Sequence, residues 1–169
     1  MAALQFPSPT IPISDERQVL LGYLDFFREV VRTKVGNLPP TDQGVSALPS
    51  GWTPLELMNH LRHVERRWLQ WGFAGEAISD PWADELDGRW HTDETFATLS
   101  DQMDQQAAVT RAVVESHDLE DVGQPGERWD GAAPAPLRRV LLHLVQEYAR
   151  HCGHIDVVRE IVDGSTGEA

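Results

Sequence analysis

LLHLVQEYARHCGHIDVVREIVDG, residues 141–164, reads as one long helix closed by Gly164. His143, Glu147, His151 and His154 recur in it at spacings of four, four and three, so they share one face. Advancing about 100° per residue from Glu147 puts His143 at about −40°, His151 at about +40° and His154 at about −20°. Val140 and Val158 fall at about +20°, Ile161 at about −40° and Leu144 at about +60°, with Ile155 and Val162 just beyond. The three imidazoles and the carboxylate lie inside the apolar stripe, and the row faces the core. Arg138, Arg139, Arg150 and Asp156 point elsewhere.

A charge or imidazole turned into a core is costly unless it is paired, hydrogen-bonded or bound to metal. A lone inward histidine is normally part of a hydrogen-bond network. A row of four favours the alternative, a metal site built between facing helices, because bundle cores are a standard place for such sites.

Three more helices precede this one. SDERQVLLGYLDFFREVVRTKVG (14–36) opens on Ser14 and Glu16 and closes at Gly36, with Leu20, Leu24, Phe27, Val30 and Val31 as its apolar stripe. TPLELMNHLRHVERRWLQWGFAG starts at Thr53, with Pro54 at its first position and Glu56 completing a capping box, and runs to about residue 74. A third helix covers about 93–117, with Phe96, Leu99, Met103, Ala107 and Val113 inward. The pattern predicts an all-α four-helix bundle without strands, as one domain over 1–169 with an N-terminal arm at 1–13. Its three linkers are long, roughly 16–19 residues each, where a simple helical hairpin needs about 2–8, so they are expected to serve function or crossovers.

On the second helix the stripe is Leu57, Leu61, Val64, Trp68 and Trp71. His60 lies at its edge, whereas His63 lies about 60° further round and is predicted to face solvent. His60, Glu147 and His151 then form a two-histidine, one-carboxylate set. That composition is used by open zinc sites and also suits iron or nickel.

The chain has 169 residues and a formal net charge of −13, from 14 basic against 27 acidic residues. No basic footprint for nucleic acid or an anionic membrane is present. The first residues lack a signal-peptide pattern, and no apolar run approaches the roughly 20 residues of a membrane span. One cysteine, Cys152, excludes an internal disulfide and suits a cytoplasmic setting. Thirteen arginines stand against a single lysine, Lys34, a bias associated with GC-rich coding sequence.

NHLRHVERRW (59–68) and HLVQEYARHCGHIDVVREIVDGSTGE (143–168) resemble the DinB/YfiT-like metal-binding four-helix superfamily, and most nearly its mycothiol-dependent maleylpyruvate isomerase and mycothiol S-transferase branch. The resemblance implies a divalent metal on His60, Glu147 and His151, the glutamate standing where other branches carry histidine, and His154 where glutamine is common. It also implies a thiol cosubstrate, mycothiol, and a small electrophilic substrate, joined in S-transfer or in isomerisation through a reversible thiol adduct. Metal-assisted hydrolysis and a non-catalytic metal-binding stress protein are the competing readings. A homodimer is compatible with all three.

Among other residues, His143 is expected as an outer partner of Glu147 rather than a fourth ligand. His154 is a proton shuttle or, preferably, a core hydrogen-bonder. Arg89 is a candidate for meeting an anionic substrate. Tyr148 and Cys152 sit about 100° off the ligand face and are expected to pack. Trp68, Trp71, Trp82, Trp90 and Trp129 pack the core or line a pocket, and His91 and His117 are expected to be solvated.

Overall fold

The computed structural model describes residues 5–167. Four long helices carry the fold: α1 (Glu16–Gly36), α3 (Pro54–Glu65), α4 (Phe96–Glu115) and α5 (Leu137–Asp163). A four-residue helix, α2 (Pro40–Gln43), sits in the first linker. The architecture is the expected all-α bundle. α1 packs chiefly against α5 and α4, and α3 against α4 and α5, so the α1–α3 link crosses the end of the bundle. The first residues of the arm, 1–4, lie outside the described residues, and Phe6 packs edge-on against Tyr23 and Phe26 of α1.

Local chemistry sets the helix ends. Thr53 and Glu56 make the reciprocal capping box at the start of α3, at 3.2 and 2.7 Å. Asp15, rather than Ser14, caps α1. Thr95 caps α4, which begins three residues later than its sequence pattern suggests. Gly164, at φ 74°, ends α5 in the left-handed conformation that glycine adopts without strain.

Leu24, Val31, Leu57, Leu61, Leu99, Leu141, Leu144 and Ile155 are fully buried and form the centre of the core. Charge is buried beside them. Glu65 on α3, 1% exposed, accepts Arg28 Nε and Nη2 of α1 at 2.8 Å each, Thr110 Oγ1 of α4 at 2.6 Å and Tyr148 Oη of α5 at 2.6 Å. All four long helices meet at this one carboxylate. Burial pushes its pKa up, but Arg28 and the two hydroxyl donors overcome that and hold it below the ordinary range. Tyr148 is thus buried as expected, and its hydroxyl is spoken for.

Four expectations need correction. The second helix does not stay α-helical: over Arg66–Phe73 it widens into a π-helix, with Ala74 N–H reaching back five residues to the Leu69 carbonyl. The wider turn rotates the register, so Leu69 and Phe73 are buried while Trp68 and Trp71 are only partly so, and Arg67 is buried as well. A strand pair exists where none was expected, β1 (Glu85–Leu86) with β2 (Arg89–Trp90). Asp87 and Gly88 between them both have positive φ, 53° and 74°, as a two-residue hairpin turn requires. Ile161 is 57% exposed, so the inward stripe of α5 ends before the helix does.

His63 is the fourth correction: it is 2% exposed, not solvent-facing. The helical wheel treats α3 alone, but the loop after it folds back over that side. The His91 carbonyl accepts Asn59 Nδ2 at 3.0 Å, and Asp84 Oδ1 lies 3.8 Å from His63 Nδ1. Arg62 donates to His63 Nε2 at 2.6 Å, which places the ring proton on Nδ1. Burial, and then the Arg62 charge, lower its pKa to about 4.

Replacing Arg28 by Met leaves Glu65 charged and unpaired, and is expected to cost about 3–5 kcal/mol. Urea denaturation measures this; a loss under about 1 kcal/mol would show that the ion pair does not hold the helices. His63 supplies a second expectation. Its folded pKa, about 4, lies below the ordinary 6.5, so between those values the unfolded chain binds a proton that the folded chain refuses. Its share of stability is complete above about pH 6.5 and is lost as pH falls towards about 4. In metal-free protein the His63→Gln variant should lose less stability over that window than the parent. Parallel pH curves would contradict the buried neutral imidazole.

Candidate metal centre

α3 and α5 lie side by side, and three side chains from them converge. One donor atom each from His60, Glu147 and His151 lies within 4.8 Å of the others. His60 and Glu147 are partly buried and His151 is buried. The heptad-like spacing on α5 brings His151 Nε2 to 3.5 Å from Glu147 Oε2 across one helical turn.

The neighbours decide which atoms are free. His60 Nδ1 lies 3.1 Å from Asp84 Oδ2. A carboxylate only accepts, so Nδ1 carries the proton and Nε2 keeps its lone pair. Asp84 comes from the loop before β1 and is 0% exposed. Arg67 binds both its oxygens through Nη1 and Nη2. Burial pushes the Asp84 pKa up, but the His60 hydrogen bond and Arg67 pull it down to about 2. The carboxylate stays charged.

His151 Nδ1 lies 3.1 Å from His154 Nδ1, which leaves His151 Nε2 facing Glu147. Burial, then the His60 and His154 imidazoles, lower the His151 pKa to about 3, so the ring is neutral near pH 7. Two imidazole nitrogens, one from a neutral ring, and a carboxylate therefore face one another at the bundle interior. Such a donor set repels itself unless a cation lies among it, and its composition and separation fit a divalent metal.

Trp90 of β2 stacks on the His60 ring, with centroids 4.0 Å apart, and meets His151 edge-on at 5.3 Å. Trp52 lies 6.2 Å from both Trp90 and His154. Beside them opens a cavity of about 480 Å³, lined by Trp52, Trp90, Arg89, Glu56, Asp87 and His91 among others. Arg89 is exposed on this cavity, with Nη2 donating to the Ser50 carbonyl at 3.2 Å. His143 sits at the other end of the row, Nε2 3.9 Å from Glu147 Oε1 and its ring edge-on to Trp68. His154 is partly buried, and its Nδ1 lies 3.1 Å from His151 Nδ1.

Cys152 turns to α1, its Sγ 3.7 Å from the Phe27 carbonyl, and burial pushes its pKa up to about 12. It is no nucleophile at neutral pH. Asp84 and Arg67 are the residues of the site that sequence patterning misses. Asp84 lies in a loop with no period to read, and Arg67, seven residues after His60 and on the same side of the helix, is buried only because that loop covers it. The Asp87–Gly88 pair, by contrast, is a recognised hairpin signal and announces the turn that delivers Trp90.

The sequence model of the mycothiol-S-transferase family matches residues 19–164, from the first turn of α1 to the cap of α5. No curated protein matches the chain. The match takes in all four long helices together with His60, Glu147 and His151, and the chain therefore belongs to the mycothiol-S-transferase family, transferase enzymes on a DinB-like helical fold.

Proposed function

We propose that His60, Glu147 and His151 hold a divalent metal, zinc foremost with nickel or iron compatible, and that the enzyme joins the sulfur of mycothiol to a small electrophile. One observation carries the reading: three donor atoms converge within 4.8 Å, with the His60 tautomer set from behind by Asp84 and His151 Nε2 turned towards Glu147. Family membership supports mycothiol as the thiol. When bound, the metal supplies a positive charge that offsets Glu147 and favours a thiol in its thiolate form.

The protein's own residues do the rest. Asp84 keeps the proton of His60 on Nδ1, and Arg67 keeps Asp84 charged. His154 holds the His151 ring from behind through the two Nδ1 atoms, so that Nε2 is the nitrogen nearer Glu147. Trp90 shields one face of His60 and, with Trp52, walls the cavity in which a thiol carrier would lie beside the donors. Arg89 stands on that cavity as a candidate contact for a polar or anionic group.

Protein as isolated is expected to carry one equivalent of divalent metal, absent from His60→Ala and retained by His63→Ala. Equal retention in both variants would remove His60 from the ligand set. Asp84→Asn, which cannot hold the imidazole tautomer as a carboxylate does, is expected to weaken metal affinity about 10–100-fold by calorimetry. The thiol is tested by cobalt substitution: mycothiol should produce a sulfur-to-metal charge-transfer band, and glutathione a weaker one. If no thiol perturbs the cobalt spectrum while the protein hydrolyses esters or amides without thiol, the transferase reading fails in favour of hydrolysis.

A further inference from the structure

Past His143 the row on α5 meets a second cavity, of about 350 Å³, apart from the one beside Trp52 and Trp90. Trp68, Trp129 and His143 wall it, and Arg128 and Arg139 reach it. Its acidic lining residue is Asp130, which is exposed and held at φ 50° after the short turn Glu127–Trp129. His143 joins the cavity to the candidate metal centre: its ring meets Trp68 at 4.7 Å, and Glu147 follows one turn later, about 6 Å along the helix.

Neither arginine has a side-chain hydrogen bond or a carboxylate partner among the described residues, although four others (Arg62, Arg66, Arg89 and Arg150) also lack a carboxylate. Elsewhere Arg28 pairs with Glu65, Arg67 with Asp84, and Arg138 with Glu16 and Glu120. Among the described residues no carboxylate pairs with Arg128 or Arg139, in a chain with 27 acidic residues to 14 basic. Arg128 Nε is buried with no hydrogen-bond partner. Its guanidinium sits over the Trp68 ring, Cζ 3.5 Å from the centroid, and the stem crosses Gly72, where a Cβ would lie 3.2 Å from Arg128 Cγ. Burial, and then the Arg67 charge, lower its pKa, as expected of a cation short of counter-charge. A guanidinium fixed on an indole, with unused donors turned to a cavity, is built to receive an anion bidentately.

We infer that this cavity binds the electrophilic substrate, and that the substrate is a flat, conjugated molecule bearing a carboxylate or similar anion. Arg128 and Arg139 hold the anionic group, the indoles of Trp68 and Trp129 hold the conjugated part, and the thiol carrier occupies the separate cavity at Trp52 and Trp90. Calling the occupant an electrophile rests on the transferase reading above; anion binding itself does not.

Calorimetric titration with inert 3-nitrobenzoate, against its neutral isostere 3-nitrobenzamide, tests the site without thiol or turnover. The benzoate should bind about tenfold or more tightly than the amide, the size of a charge-assisted hydrogen bond. Arg128→Gln should erase that preference without weakening the amide. Arg139→Gln, at an exposed position that folding does not need, should reduce it in part. Equal binding of benzoate and amide by the parent, or an unchanged preference in both variants, overturns the inference. Turnover is read with 4-chloro-3-nitrobenzoate and its amide: mycothiol sulfur bonds the chlorine-bearing ring carbon, chloride leaves with the bonding pair, and the thiol proton goes to buffer. A higher kcat/KM for the benzoate, lost in Arg128→Gln, supports the assignment. Transfer to both compounds at equal rates removes this inference and leaves the transferase reading standing. Selective benzoate binding without transfer from any thiol keeps the anion site and removes the transferase reading.

Discussion

Everything in this bundle is referred to the Glu65 carboxylate. Its two oxygens take donors from α1, α4 and α5, each with a fixed direction, so the axial rotation of every long helix is set relative to α3. Apolar side chains alone would not do this, since hydrophobic contact is non-directional and tolerates repacking. The knot lies close to the candidate centre. Glu65 follows His60 by five residues on α3, and Tyr148 adjoins Glu147 on α5. The 2.6 Å bond from Tyr148 to Glu65 fixes the faces on which His60 and Glu147 approach each other. A slip of one residue in either helix would turn a donor by about 100° and dissolve the cluster.

The second buried carboxylate repeats the device at smaller scale. Asp84 is held by Arg67 and in turn holds His60, so a loop residue governs an imidazole on a helix. The side that Arg67 occupies is set by the α-helix itself, since seven residues bring it within about 20° of His60. The π-helix turns the residues after it, so that Leu69 and Phe73 enter the core and Trp68 is left partly buried at the cavity under Arg128. Gly72 within it has no side chain to obstruct that arginine.

Much of this was legible in the residues alone. The period of 141–164 places His143, Glu147, His151 and His154 inward, and the capping box dates the start of α3 to Thr53. The same wheel would have exposed the Glu65 knot. Arg28 lies four residues from Leu24, Glu65 four from Leu61 and Tyr148 four from Leu144, each just beyond the edge of its apolar stripe, where two opposite charges and a hydroxyl can meet one another. What periodicity cannot reveal is a side of a helix covered by a loop. His63 is buried only because the chain returns over α3 after Ala74, and Asp84 acquires its role from that return. Both depend on contacts far apart in sequence, which no local pattern encodes.

Net charge gives a poor guide to the field at a site. The chain is strongly acidic, yet the cavities near the row on α5 carry cations with no carboxylate partner among the described residues: Arg128 and Arg139 at one, Arg89 at the other. At ordinary ionic strength the Debye length is about 8 Å, so distant carboxylates are screened while groups lining a cavity are not. An enzyme that joins a thiolate to an anionic partner must bring two negative charges together. On the reading proposed above, separate cavities at either end of a histidine row, each with its own arginine, would keep those charges apart until the reacting atoms meet between them. On that arrangement the acidic exterior confers solubility, and the local cations decide what enters.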